Sequence, residues 1–145
     1  MIDKDEITTR ILELTQLVIA NSVLTNERIA HDFGIHLVDL QTLGFVARSD
    51  APITAGEISV QTALPTSTTT RVLDRLEKRG LIERRADPHD RRRVVVHMRQ
   101  ENLRASDGGN PWAAITAQVS QIHDSFTVEE LGVVARYLDQ LKDVR

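Results

Sequence analysis

The chain has 145 residues, 41% of them apolar but only 3% aromatic, no cysteine and a net charge of −3. That length suits one domain, or one module with helical arms, and a core built from Leu, Ile, Val and Ala favours helices over a large sandwich. Disulfides, thiolate metal sites and thiol redox switches are excluded.

In chain order, the first element predicted is a helix from Asp5 to Asp32. Ile7, Ile11, Leu14 and Val18 recur there at spacings of four, three and four, with room for a kink near Asn21-Ser22 or Thr25-Asn26. Gly34 reads as its C-terminal stop, and a second helix follows over 37–48 with Leu37, Leu40, Leu43, Phe45 and Val46 inward. After the turn Asp50-Ala51-Pro52, Thr54 and Glu57 have the spacing of a capping box and open a short helix over about 55–63 with Ile58 inward. Leu64-Pro65 breaks it. Thr66-Ser67-Thr68-Thr69-Thr70 opens the next helix, which runs to Arg79 and stops at Gly80. Thr69, Val72, Leu73 and Leu76 form its buried stripe, so Ser67, Arg71 and Lys78 point outward, flanked by Thr68, Thr70 and Arg75. Residues 81–86 and 93–98 read as two strands joined by the turn Asp87-Pro88-His89-Asp90. Ser106 to Pro111 is a strong breaker. Trp112, Ile115, Val119, Ile122 and Phe126 then give a helix seam, and a second capping-box pair, Thr127 and Glu130, opens a last helix with Leu131, Val134, Leu138 and Leu141.

The net charge conceals a segregation. Residues 55–104 carry eleven basic side chains against seven acids, whereas the segments before and after are acidic. A basic middle suits a chain that meets phosphate with one segment only. Within it a short helix, a tight turn, a helix with a Ser/Thr/Arg outer face and an arginine-tipped hairpin follow one another. Such a helix can lie in a major groove about 12 Å wide, and a basic tip can enter the minor groove. The candidate DNA contacts are Thr66, Ser67, Thr68, Thr70, Arg71 and Arg75 on the helix and Asp90, Arg91, Arg92 and Arg93 on the tip. Asp90 is placed to orient one guanidinium by a charge-assisted hydrogen bond.

Gly34-Ile35 before a helix, Thr54-Ala55-Gly56-Glu57-Ile58, the run from Leu76 through Arg85, and Asp87-Pro88-His89-Asp90-Arg91-Arg92 together resemble the MarR family of transcription regulators. The resemblance covers roughly residues 10–98, and its most specific stretch runs from Leu76 to Arg92. It implies a mainly α fold with a small β-hairpin wing: a winged helix-turn-helix lobe over 35–98, with helical dimerisation arms at 1–34 and 99–145. It further implies a homodimeric repressor on a pseudo-palindromic operator in double-stranded DNA. The helix from Thr66 would be the recognition helix, and Arg92 the wing arginine. Many members are released by a small aromatic or anionic molecule bound between arms and lobe. The chain departs from the family pattern after the wing, where Met98-Arg99-Gln100-Glu101-Asn102 replaces a Leu-Thr-x-x-Gly entry and Gly108-Gly109-Asn110-Pro111 interrupts the arm.

Independently of the resemblance, the apolar stripes on the first and last two helices exceed what a lone lobe covers, which predicts a homodimer. No enzyme motif is present: no nucleophile elbow, no P-loop and no dinucleotide fingerprint. Among His31, His36, His89, His97 and His123 no pair has the spacing of a helical zinc motif, so neither metal nor cofactor is expected. Trp112 reads as core. The acidic start MIDKDEITTR is unlike a secretory signal, and no run nears the ~20 apolar residues of a membrane span. A cytoplasmic chain with no membrane partner is therefore expected. The competing reading is a winged-helix interaction module, or an antagonist of another regulator, that does not read DNA; the basic wing argues against it.

Overall fold

The computed structural model describes residues 3–105 and 110–144. It divides into two compact units, residues 1–109 and 110–145.

In the first unit, α1 (Lys4–Phe33) is a single helix of 30 residues. It runs without a break through Asn21-Ser22 and Thr25-Asn26, where the sequence left room for a kink. Thr15 donates to the Ile11 carbonyl at 2.8 Å and Ser22 to the Val18 carbonyl at 2.7 Å. Gly34, at φ 62°, ends the helix in the left-handed conformation, with its N–H returned to the last turn. Helix α2 (Leu37–Arg48) buries Leu40, Leu43 and Val46, while Leu37 and Phe45 are only half-buried. Arg48 lies 5.2 Å above the Phe45 ring.

The capping box forms at the start of α3 (Ala55–Thr62): Thr54 Oγ1 accepts from the Glu57 amide, and a Glu57 carboxylate oxygen accepts from the Thr54 amide at 2.7 Å. Ala63, at φ 55°, turns the chain toward α4 (Thr66–Lys78). Ser59 braces that turn through its hydroxyl, which donates to the Leu64 carbonyl at 2.6 Å. On α4 the stripe Thr69, Val72, Leu73 and Leu76 is fully buried. Helix α4 packs against α2, α3 and β2, and Leu40 and Leu43 of α2, Ile58 of α3 and the sheet residues Ile53, Ile82, Val95 and Val96 are buried as well.

The sheet has three strands, not the two of the hairpin. A two-residue β1 (Ile53–Thr54) pairs antiparallel with β3 (Val94–Met98), which also pairs with β2 (Ile82–Ala86), in the order β1-β3-β2. Two residues are too few to leave an alternating pattern in the sequence. Val95 and Val96, consecutive on β3 and so on opposite faces of the sheet, are both buried. Gly80, at φ 69°, ends α4, and its carbonyl accepts from Asn102 Nδ2 on α5 (Gln100–Ala105) at 2.6 Å.

The second unit holds α6 (Ala113–His123) and α7 (Val128–Leu141). Asn110 opens it, accepting from the Trp112 amide at 3.0 Å, and Thr127 and Glu130 form the second capping box. Neither helix buries a residue, and Trp112 is half-buried. Of the breaker read between Ser106 and Pro111, residues 106–109 lie outside the described residues.

Candidate nucleic-acid interface

Helix α4 and the β2–β3 loop form the candidate surface. With its apolar stripe in the core, α4 turns Thr66, Ser67, Thr70, Arg71, Asp74 and Lys78 to solvent, and leaves Thr68 half-exposed. The Thr70 hydroxyl donates to the Thr66 carbonyl at 3.0 Å, which keeps it close to the helix. No side chain caps α4, and its N-cap is Pro65, so the amides of the first turn and the positive end of the helix dipole face outward with the small hydroxyl residues.

The loop owes its shape to two acids that accept backbone amides. Asp87, 8% exposed, accepts from the His89 amide at 2.8 Å, while its own amide donates to the Arg93 carbonyl at 2.9 Å. The His89 amide, with the Arg93 charge nearby, holds the Asp87 carboxyl below its ordinary pKa. Asp90 accepts from the Arg92 amide at 3.0 Å. This differs from the guanidinium partnership read in the sequence: the Asp90 carboxylate is taken by backbone two residues on, an Asx turn, and enters no ion pair among the described residues. Asp90 therefore shapes the tip; it does not grip a side chain there.

The basic side chains sort into two groups. Arg71 and Lys78 on α4, and Arg91 and Arg92 on the loop, are exposed and make no ion pair among the described residues. Others are engaged within the chain. Arg75 pairs with Asp39 of α2, which is 2% exposed and raises the guanidinium pKa by hydrogen bonding. Arg93 reaches Glu57 of α3 at 3.5 Å and Asp87 at 3.7 Å. Arg84 on β2 spans Asp74 at 2.6 Å and Glu77 of α4; its guanidinium, and then its amide donating to Glu77 at 2.9 Å, hold the Glu77 pKa down. Arg85 pairs with Glu83 on the same strand.

The structure thus brings Thr66, Ser67, Thr68, Thr70 and Arg71 onto one face of α4, and Asp90, Arg91 and Arg92 onto the loop tip. Arg75 and Arg93, chosen by the same sequence logic, are turned to acids 36 residues away. Sequence reasoning missed Asp39, Glu57 and Asp87 as the acids that hold the arginines and the loop. Lys78, read from the sequence as outward but not taken among the candidate contacts, lies seven residues from Arg71 and is exposed with it. Among the described residues no group of three or more His, Asp or Glu could hold a metal ion, and His31 meets only Asp32, at 3.4 Å.

Three helices capped by a three-stranded antiparallel sheet, with a basic loop beside an outward helix face, define a winged helix-turn-helix protein. Residues 33–93 match the MarR family model. It is 29% identical over 142 residues to YcgE, an uncharacterised HTH-type transcriptional regulator of Bacillus subtilis (strain 168), covering 97% of this chain and 90% of that one. In fold it resembles a MarR family protein from Bacillus stearothermophilus, with TM-score 0.68, 23% identity and coverage of 97% and 96%. It also resembles Streptococcus pneumoniae FabT, solved in complex with DNA, with TM-score 0.66, 24% identity and coverage of 93% and 94%.

Proposed function

We propose that this chain is a sequence-specific DNA-binding transcription regulator that acts as a homodimeric repressor on a pseudo-palindromic operator, without enzymatic activity. The observation that carries the reading is the sorting of cations. Among the described residues, four basic side chains on α4 and the wing tip make no ion pair, while neighbouring arginines are neutralised within the fold. The match of residues 33–93 to the MarR family model and the likeness in fold to FabT, solved in complex with DNA, support the same reading. In it, Thr66, Ser67, Thr68, Thr70 and Arg71 meet the major groove, Lys78 meets a flanking phosphate, and Arg91 and Arg92 follow the minor groove. Arg75, Arg93 and Asp90 hold these elements in place.

Residues 35–98 serve as the reading lobe and the segments 1–34 and 99–145 as dimerisation arms. Helix α1 supports this assignment, because Leu12, Leu17, Val18, Ile19 and Leu24 are each more than half exposed on several sides of one helix. Helix α7 leaves Val134 and Leu138 exposed as well. Apolar side chains left exposed on several sides of a helix call for a covering partner, and an obligate interface of this kind buries on the order of 2,000 Å² or more. A small aromatic or anionic effector is the input we assign, and the cytoplasm the location. No helix among the described residues is long and apolar enough to cross a membrane.

Selection of bound sites from random duplexes tests the function, followed by titration of the enriched site against random DNA at low salt. An inverted-repeat site with salt-sensitive binding is the expected result. No enrichment, together with no binding of random duplex, refutes DNA reading and favours an interaction module. A panel of phenols and aromatic acids, scored by melting and by release of the operator, tests the effector.

A further inference from the structure

Two arginines near the C-terminus of α4 make forked contacts to different elements. Arg75 donates from Nε to Asp39 Oδ2 at 3.0 Å and from Nη2 to Asp39 Oδ1, near the start of α2. One turn further on, Arg79 donates from Nη1 to the Gly34 carbonyl and from Nη2 to the Phe33 carbonyl, both at 2.9 Å, at the C-terminal end of α1. A guanidinium that serves two acceptors at once fixes orientation as well as distance, which an ammonium cannot do. That of Arg79 also lies at the negative end of the α1 dipole. The apolar contact of α4 with α2 is non-directional by comparison. Two forks, four residues apart and anchored on separate elements, restrain both the roll and the tilt of α4.

The geometry points to Arg75 and Arg79 as positioning residues that fix the pitch of α4 on the elbow between α1 and α2. This inference rests on the proposal that α4 reads DNA. Twelve residues separate Arg79 from Ser67, about 18 Å of helix, so a tilt of about 10° at the clamp moves the reading end by about 3 Å. That displacement equals a whole hydrogen-bond length, enough to break base-edge contacts. Attraction to phosphates, which is spread along the duplex, survives such a movement. The two forks differ in what their loss does. Without Arg75 the Asp39 carboxylate is left buried and uncompensated, a change that threatens the fold itself. Arg79 and Gly34 are exposed, so water replaces the lost donors and the fold survives. Arg79 is therefore the residue to change.

The test uses the absence of native cysteine. Glu27→Cys on α1 and Ser67→Cys on α4 carry spin labels, and the labelled chain is diluted into excess unlabelled chain so that only within-chain distances are read. Pulsed electron resonance on this pair should give a single narrow distance. Arg79→Ala, shown by circular dichroism to be folded at the measuring temperature, should shift or widen it by about 3 Å, with Arg79→Lys intermediate. In the chain without added cysteines, Arg79→Ala should weaken the selected operator about tenfold or more and change random-duplex affinity less than twofold. A folded Arg79→Ala with an unaltered distance overturns the clamp, whatever DNA binding shows, because a residue serving stability alone would not move it. A widened distance with operator affinity unchanged overturns the link from pitch to reading. If the unmodified chain prefers no site at all, it is the proposed function that fails, and the distance measurement still decides the clamp.

Discussion

Removing one free cation and one engaged cation from the wing, and comparing salt dependence, tests the sorting of charges directly. Arg71, Lys78, Arg91 and Arg92 carry no ion pair among the described residues, which gives four free cations on α4 and the wing tip per protomer and eight per dimer. If all eight meet phosphates, log affinity falls with log salt at a slope of about −7, so going from about 50 to about 200 mM costs roughly 10⁴ in affinity. Arg92→Ala removes two contacts per dimer, flattens the slope to about −5, and reduces that loss to roughly 10³. Arg93→Ala also removes a wing arginine, but its guanidinium already faces Glu57 at 3.5 Å and Asp87 at 3.7 Å. Its slope should stay within about half a unit of the original, and its effect should appear as a salt-independent loss from a looser wing. Fluorescence anisotropy on the selected operator, titrated at four or more salt concentrations, measures all three. Equal flattening by Arg92→Ala and Arg93→Ala would refute the sorting, as would a parent slope shallower than about −4.

Three further outcomes follow from particular contacts. Asp90→Ala should weaken DNA binding by roughly 1 kcal/mol although it removes a negative charge, because the Arg92 amide loses its acceptor; Asp90→Asn, which keeps an acceptor, should bind better than Asp90→Ala. Tighter binding by Asp90→Ala in the anisotropy assay would show that repulsion wins. Gly80→Ala should lower stability by roughly 1–2 kcal/mol or more, since φ is +69° and the new methyl would lie 2.9 Å from Asn102 Nδ2. Urea unfolding reads this, and a loss below about 0.5 kcal/mol would show that the site relaxes at little cost. Leu138→Glu, on the exposed face of α7, should turn dimer into monomer in sedimentation at micromolar concentration; a parent chain that is itself monomeric there removes the dimer from the proposal.

The helices were legible because their determinants are local. Thr54 with Glu57, and Thr127 with Glu130, lie three residues apart and form capping boxes wherever the backbone turns helical. The stripe Thr69-Val72-Leu73-Leu76 and the stops at Gly34 and Gly80 follow from helical period and from the positive φ that glycine adopts without strain. The outward face of α4 is the complement of its buried stripe, so helical period alone places Ser67 and Arg71 on it. Tertiary structure decided the rest. The β1 strand exists only because β3 passes beside Ile53 and Thr54, more than forty residues later in the chain. The side-chain partners of the basic segment were equally hidden: Arg75 and Arg93 each find an acid 36 residues away, and Arg79 finds two carbonyls 45 and 46 residues away. Local pattern tells which side of an element a charge leaves from. Whether that charge stays free for a ligand depends on what the folded chain places within about 3–4 Å of it, and a sequence does not carry that distance.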